Sequence, residues 1–390
     1  MSTFSPHPAP PGSRHLAALV VGIVSLALAA AGGWFNPERF FESYLWAFIY
    51  WWLISMGCLG LRLIHEMTGG AWGAVSRPFL NAAVRTLPLV ALAFVPLALN
   101  LHHIYDWTAS GYFDGRLHAE NRQWYLTTPF FLWRAASYFA ISLVLSFFLT
   151  LSRRGRTIDE APRFQPRLGA VGTVLMVLVV TFAAIDWVMS LEPDWFSTIY
   201  GGLFIVGGLL SAMSVVTAGA ALDMRQWLSA SEPALSVLHD LGKLLLAMLM
   251  LWAYFAFSQF LIIYSGNLPV EAVWYTRRTS GGWQYVALLL ILLHFALPFG
   301  LLLSREAKRN PSVLAGIASG IALVRGLDVY WLVMPSMRDD GFGAHWIDPL
   351  VFIGLGGMWM FAYLRSLSRR IDTERWPEYY ASPSGGAARA

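Results

Sequence analysis

The stretch FAAIDWVMSLEPDWFSTIYGG, residues 182–202, decides how the chain is read. An apolar run carries an aspartate, Asp186, and is followed at once by Glu192, Pro193 and Asp194. In a water-soluble helix such a carboxylate would simply face solvent. Inside a membrane span it is a costly group that needs either a partner or a task. Composition chooses between these settings: 57% of the 390 residues are hydrophobic and 13% are charged, and the mean hydropathy is +0.54. Those values lie far from ordinary soluble domains and define an integral membrane protein.

A spanning helix needs about 20 mostly apolar residues. Ten stretches meet that length, centred near residues 25, 54, 93, 139, 178, 210, 253, 294, 324 and 358. The expected fold is therefore an all-α bundle of ten transmembrane helices. The first stretch, HLAALVVGIVSLALAAAGGW, also resembles a cleavable leader, but Arg14 is its only charged flank and a retained span is the preferred reading.

The formal charge of +4 is carried by residues scattered through short loops, which excludes a nucleic-acid surface. A single cysteine, Cys58, makes no intrachain disulfide and holds no iron–sulfur cluster, and the chain has no Cys-x-x-Cys-His for covalent haem. A b-type haem needs two axial ligands at matched depth. His294 has no such partner, and His102 and His103 end the third helix at an interface. Electron chemistry therefore falls to a bound diffusible molecule or to partner subunits.

Lys and Arg divide 19 to 6 between alternate sides, with Arg134 and Arg325 inside spans. This asymmetry places both termini in the cytoplasm. A cytoplasmic segment 1–15, a membrane domain 16–368 and a cytoplasmic tail 369–390 follow. The loops at 100–125 and 265–285 then face outward, rich in aromatic residues and Gly, as an interface belt or a docking face for another protein would be.

The fifth and ninth helices end on the same spacing: DWVMSLEP from Asp186 to Pro193 and DVYWLVMP from Asp328 to Pro335. HHIY and LIIY end the third and seventh. Matches three to four helices apart are what a duplicated four-helix bundle produces.

Ionisable groups within spans nominate a functional path. An outer layer holds Asp186, Glu192, Arg325 and Asp328, the last two one turn apart on a shared face, with Arg134 and Gln259 at similar depth. An inner layer holds His65, Glu66, His239, Asp240 and Lys243, and His294 lies between the two layers. Two titratable layers bridged by an imidazole suit a proton path. The competing reading makes Arg325–Asp328 a structural pair and the inner groups snorkelling side chains. Asp186 is the leading candidate, because its own helix offers no basic residue within a turn and a structural role requires a partner from elsewhere. On this reading Asp186→Asn leaves assembly intact and lowers proton yield.

Five runs carry a resemblance to a known family: FFESYLWAFIYWWLISMGCLGLRLIHEMTGGAWG (40–73), RTLPLVAL (85–92), VTFAAIDWVMSLEPDWFSTIYG (180–201), WAYFAFSQFLIIYSGNLPVEAVWY (252–275) and DVYWLVMP (328–335). Together they resemble the ActF-type membrane component of bacterial alternative complex III, a quinol:cytochrome c oxidoreductase. Such components belong to the polysulfide-reductase membrane-subunit (NrfD-like) family. The resemblance covers roughly residues 35 to 365. It implies two four-helix bundles, about 44–190 and 198–336, with one flanking helix at each end, in a multi-pass protein of the bacterial inner membrane.

It also implies an accessory subunit of a quinol-oxidising complex, with menaquinol or ubiquinol as the diffusible cofactor and a transmembrane proton path. The implied partners are a sister NrfD-like membrane protein, an iron–sulfur subunit, multihaem and monohaem cytochrome c subunits, small membrane subunits and a terminal oxidase; haems and clusters would sit on those partners. Asp186, Glu192, Asp328, His65 and His239 fall on matching stretches and carry over as proton candidates. A structural anchor for the redox subunits is the alternative, and a stand-alone transporter fits least, since Pro88, Pro96 and Pro298 form no matched pair of interruptions.

Overall fold

In the computed structural model the described residues are 14–115, 119–151, 165–227, 232–338 and 341–371. Most of the expected cytoplasmic segment 1–15, the loop 152–164 and nearly all of the tail 369–390 lie outside them. The described residues form helices and turns with no strand. Ten helices are long and apolar enough to cross a membrane: Arg14–Phe35, Pro37–Thr68, Val75–Leu99, Thr128–Thr150, Pro166–Leu191, Tyr200–Met224, Leu235–Gly266, Trp283–Leu303, Pro311–Ser336 and Ile347–Ser368. The chain is an all-α integral membrane protein.

Local chemistry sets where these spans begin and bend. Two of them open on Asn-Pro. Asn36 accepts the Arg39 N–H at 3.2 Å ahead of Pro37, and Asn310 accepts those of Ser312 and Val313 ahead of Pro311. In each, a side-chain acceptor meets the orphan amides of the first turn while proline presets its backbone. The second span closes at Gly69, whose φ of 66° suits glycine and whose N–H returns to His65.

The third span starts earlier than a centre near 93 implies. Arg77, Asn81 and Arg85 dilute its first half. It is also broken into Ala71–Val84, Leu87–Ala93 and Val95–Leu99, because Pro88 and Pro96 cannot donate to the carbonyls four residues earlier.

The fifth span departs from expectation too. Its α-helix stops at Trp187, six residues ahead of Pro193, and continues as a 3₁₀ turn over Met189–Leu191. Side chains replace the helical ladder there. Ser190 Oγ donates to the Asp186 carbonyl and Tyr105 Oη donates to that of Trp187 at 2.9 Å. The ninth span ends in the same way, helical to Val333 and then 3₁₀ over Met334–Ser336.

Spans two to five pack as one four-helix bundle and spans six to nine as another, while the first and tenth pair with each other and the tenth also rests on the second. The second and sixth form the joint: 89% and 83% of their apolar windows are buried, against 22% for the first and seventh. Helix backbones meet here, since a Cβ added at Gly57 would collide with the backbone of Gly208. Small residues give this closeness in lipid, where no hydrophobic drive pulls helices together. Gly57→Leu is therefore expected to push the bundles apart at a cost at or above the usual overpacking range of about 1–3 kcal/mol. Thermal unfolding in detergent, followed by tryptophan fluorescence, would register it as a lower midpoint.

Candidate functional site: buried ion pairs at the ends of the two bundles

Residues 100–115, 119–127, 188–199, 267–282 and 341–346 gather at one end of the molecule, called here the loop-rich end. Most of the buried charge lies toward it. In the first bundle Asp186 is fully buried on the fifth span. The partner that its own helix lacks comes from the fourth span. Arg134 donates from Nε to Oδ2 at 2.8 Å and from Nη2 to Oδ1 at 3.0 Å. Tyr138 Oη reaches Oδ2 at 2.6 Å and Tyr125 Oη reaches Oδ1 at 2.8 Å.

The third nitrogen of Arg134, Nη1, donates to the Tyr125 carbonyl at 2.9 Å, and the guanidinium lies 3.8 Å from the Tyr125 ring centroid. Burial raises the Tyr125 hydroxyl, and the neighbouring carboxylate raises it further, so it stays protonated as a donor. One side is closed by Trp187, whose buried ring packs on Phe48, Trp52, Phe94 and Phe139. Asp186 thus has both oxygens doubly bonded to side-chain donors.

The second bundle holds its counterpart. Asp328 pairs with Arg325 on the ninth span and accepts from Trp252 Nε1 of the seventh at 3.1 Å. Arg325 Nε points to the Gly207 carbonyl of the sixth span at 3.3 Å. His294 of the eighth span stands edge-on to Trp252, ring centroids 4.2 Å apart. Trp252 therefore joins Arg325, Asp328 and His294 into one group. Saturation stops there: His294 makes no hydrogen bond through either ring nitrogen among the described residues, and neither does Arg325 Nη2, although all are buried.

Glu192 belongs to a third cluster, although it follows Asp186 by six residues. It accepts from Arg278 Nη1 at 3.0 Å and Ser336 Oγ at 2.6 Å, with Arg277 at 3.6 Å. Arg278 lies on the helix Pro269–Arg278 between the seventh and eighth spans. It also donates to the Leu332 carbonyl at 2.9 Å and lies 3.7 Å from the Trp274 ring centroid. Burial lowers the Arg278 guanidinium and the Glu192 charge works against that shift. Because Glu192 follows the fifth span and Ser336 ends the ninth, this cluster clasps the two bundles together. Asp194 pairs instead with Arg122 at the surface.

A fourth cluster escaped the sequence reading. Asp348, opening the tenth span, takes Arg338 Nη2 at 2.7 Å and Nη1 at 3.0 Å, Ser43 Oγ at 2.6 Å and Tyr330 Oη at 2.9 Å. Arg338 also donates to Glu42 at 3.1 Å. Burial opposes the Arg338 charge, but the Asp348 carboxylate outweighs it and raises the group. Arg338 and Asp348 sit where ordinary loop charges sit, and only the early Ser43 and Glu42 of an otherwise apolar span hinted at a polar seam.

At the opposite end Glu66 pairs with Arg62, which also donates to Asn81 Oδ1 at 3.0 Å. His65 Nε2 meets the Gly70 carbonyl at 3.3 Å. Asp240 and Lys243 form a pair 3.0 Å apart with half-exposed side chains, and His239 is half-buried beside them. That geometry is what snorkelling produces.

Among the described residues no group of three or more His, Cys, Asp or Glu is arranged to hold a metal. A crevice of about 30 Å³ between Phe48, Trp51, Leu89, Leu355 and Trp359 is apolar. The N–H groups of Trp51 and Trp359 are committed to Phe352 O and Ser55 Oγ. It is water-sized and offers a quinol head no hydrogen-bond partner, so no quinol step is built on it.

The saturation of Asp186 changes what its replacement does. Asp186→Asn strands the buried Arg134 cation, and losing one partner of such a pair costs about 3–5 kcal/mol. The expected outcome is loss of folded, monodisperse protein on size-exclusion chromatography. The pairwise replacement Arg134→Met with Asp186→Leu should recover most of it. No protein-family model matches the chain, and a search of curated proteins finds no relative.

Proposed function

We propose that the chain is an accessory membrane subunit of a quinol-oxidising complex of the alternative complex III type, and that its second bundle handles protons for that complex. One observation carries the proton role. Each bundle buries an aspartate near the end of its last span, with a 3₁₀ turn after it and a proline seven residues on from the aspartate. Asp186 is closed by four side-chain hydrogen bonds. Among the described residues Asp328 has only Arg325 and Trp252, with an imidazole that makes no hydrogen bond there beside Trp252. A carboxylate held by fewer donors, next to a group that can take a proton on either nitrogen, is the better of the two for exchange. The complex, its inner-membrane location, its cytoplasmic termini and its haem and cluster partners rest on the five resembling runs in the sequence. No residue of this chain is assigned to quinol.

A second reading, an anchor without proton work, draws on Glu66, Asp186, Glu192 and Asp348, each held by an arginine. One experiment separates the two. The tagged chain is purified from membranes, its companions are identified by mass spectrometry, and quinol oxidation and proton release are measured in liposomes. Haem and iron–sulfur subunits should copurify. The double variant Arg325→Gln with Asp328→Asn, which strands no charge, should keep the assembly and lower protons released per quinol. Unchanged proton release would leave the anchor reading standing. Absence of redox companions would remove the complex itself.

A further inference from the structure

We propose that the second bundle binds a column of water, leading from a polar cavity at the loop-rich end down to Asp328 and His294, with Gln259 at its midpoint. Packing and hydrogen-bond accounting carry this inference, and Asp328 need not exchange protons for it to hold.

Buried polar atoms in folded proteins are hydrogen-bonded, and where the protein supplies no partner, bound water does. Gln259 on the seventh span is 1% exposed and His294 on the eighth is 0% exposed. Yet the two ring nitrogens of His294, the amide oxygen of Gln259 and Arg325 Nη2 have no hydrogen bond among the described residues, and the Gln259 amide nitrogen has only a loose approach to the Tyr275 hydroxyl. Other buried atoms without a partner among the described residues are scattered, Trp107 Nε1 and Thr217 Oγ1 among them, whereas these four lie together on three neighbouring spans of one bundle. Each one left dry would carry a penalty of roughly 1–3 kcal/mol.

Their arrangement is linear. Gln259 follows Trp252 by seven residues, two helical turns, which puts it on the same face and about 10.5 Å nearer the loop-rich end. Below it, Trp252 holds Asp328 and abuts His294. Above it stands the Tyr275 hydroxyl, which the Gln259 amide nitrogen approaches as a donor. Tyr275 shares the helix Pro269–Arg278 with Arg277 and Arg278, the two arginines on Glu192. Arg277 in turn lines an open cavity of about 160 Å³, with Ser280, Trp283, Pro335 and Arg338. That volume admits several water molecules. An amide that donates at one atom and accepts at the other suits the middle of such a column, because it can join water above to water below.

The backbone at the lower end is shaped in the same sense. His294 lies in a π-helical turn, Leu290–Ala296, where the Leu297 N–H reaches back to Leu292. Pro298, four residues on, cannot donate to the His294 carbonyl. Single π-turns within α-helices recur at functional sites. In the first bundle the tryptophan N–H groups of Trp107 and Trp187 are likewise unpartnered among the described residues, but the Asp186 carboxylate itself is filled by tyrosine and arginine on both oxygens.

X-ray pulses generate hydroxyl radicals from bound water, and these oxidise the side chains beside it. The full chain in nanodiscs would be pulsed and its peptides quantified by mass spectrometry. Trp52 of the first bundle, 1% exposed, serves as the internal reference. Trp252, His294 and Tyr275 are expected to label several-fold faster than that reference, and Gln259→Leu should slow Trp252 and His294 while leaving Trp52 unchanged. Labelling of Trp252 and His294 at the reference rate in the unaltered protein would overturn the column, and that comparison needs no variant to fold. Fast labelling that Gln259→Leu does not alter would overturn the role of Gln259. Neither outcome depends on quinol turnover, so failure here is distinct from failure of the proposed function.

Discussion

An ionised side chain cannot stand alone in hydrocarbon, and this constraint shapes most of the molecule. Every buried acid among the described residues meets an arginine, and the arginine usually comes from another element. Arg134 brings the fourth span to Asp186 on the fifth. Arg278 brings the helix before the eighth span to Glu192. Arg338 draws the second and tenth spans to the end of the ninth through Glu42 and Asp348. Lipid supplies no hydrophobic drive between helices, so these pairs, together with the close contact at Gly57 and Gly208, fix which spans are neighbours. Their net energetic worth is modest, but the penalty for breaking one is large, and that asymmetry makes them effective in specifying the arrangement.

The same constraint separates the two bundles. Their plan is shared down to the 3₁₀ turn after each aspartate, but the neighbours of the two carboxylates differ. Around Asp186 the first bundle collects Arg134, Tyr125 and Tyr138. Around Asp328 the second offers an arginine from the same helix, a tryptophan and an imidazole whose nitrogens have no protein partner among the described residues. One aspartate is sealed on both oxygens and the other is not. The proposed proton role is assigned to the second bundle on that ground.

Much of this was legible in the sequence, for identifiable reasons. A backbone in lipid must satisfy its hydrogen bonds internally, so apolar runs of sufficient length become helices whatever their neighbours do. The ten spans and the Asp-to-Pro repeat were therefore readable, as was the shared face of Arg325 and Asp328, a property of one helix. Partners were not. Arg134 was placed at similar depth to Asp186, but 52 positions separate them in the chain and no local pattern joins them. Glu42, Arg338 and Asp348 read as ordinary charges at span ends. Pro193 looked like the end of the fifth helix, whereas Ser190 and Tyr105, the latter more than 80 residues upstream, occupy its last carbonyls. The third span was misplaced because its polar first half depresses the local hydropathy that locates spans.

The π-turn of the eighth span has a consequence for the register of that span. A π-turn accommodates one residue more than the regular α-helix around it, so side chains beyond it are rotated by about 100° relative to an uninterrupted helix. The eighth span therefore presents its residues beyond Leu297 on a different face from the one that its first turns, Trp283–Leu289, would have continued. The fourth span, an unbroken α-helix over Thr128–Leu151, keeps one register from end to end.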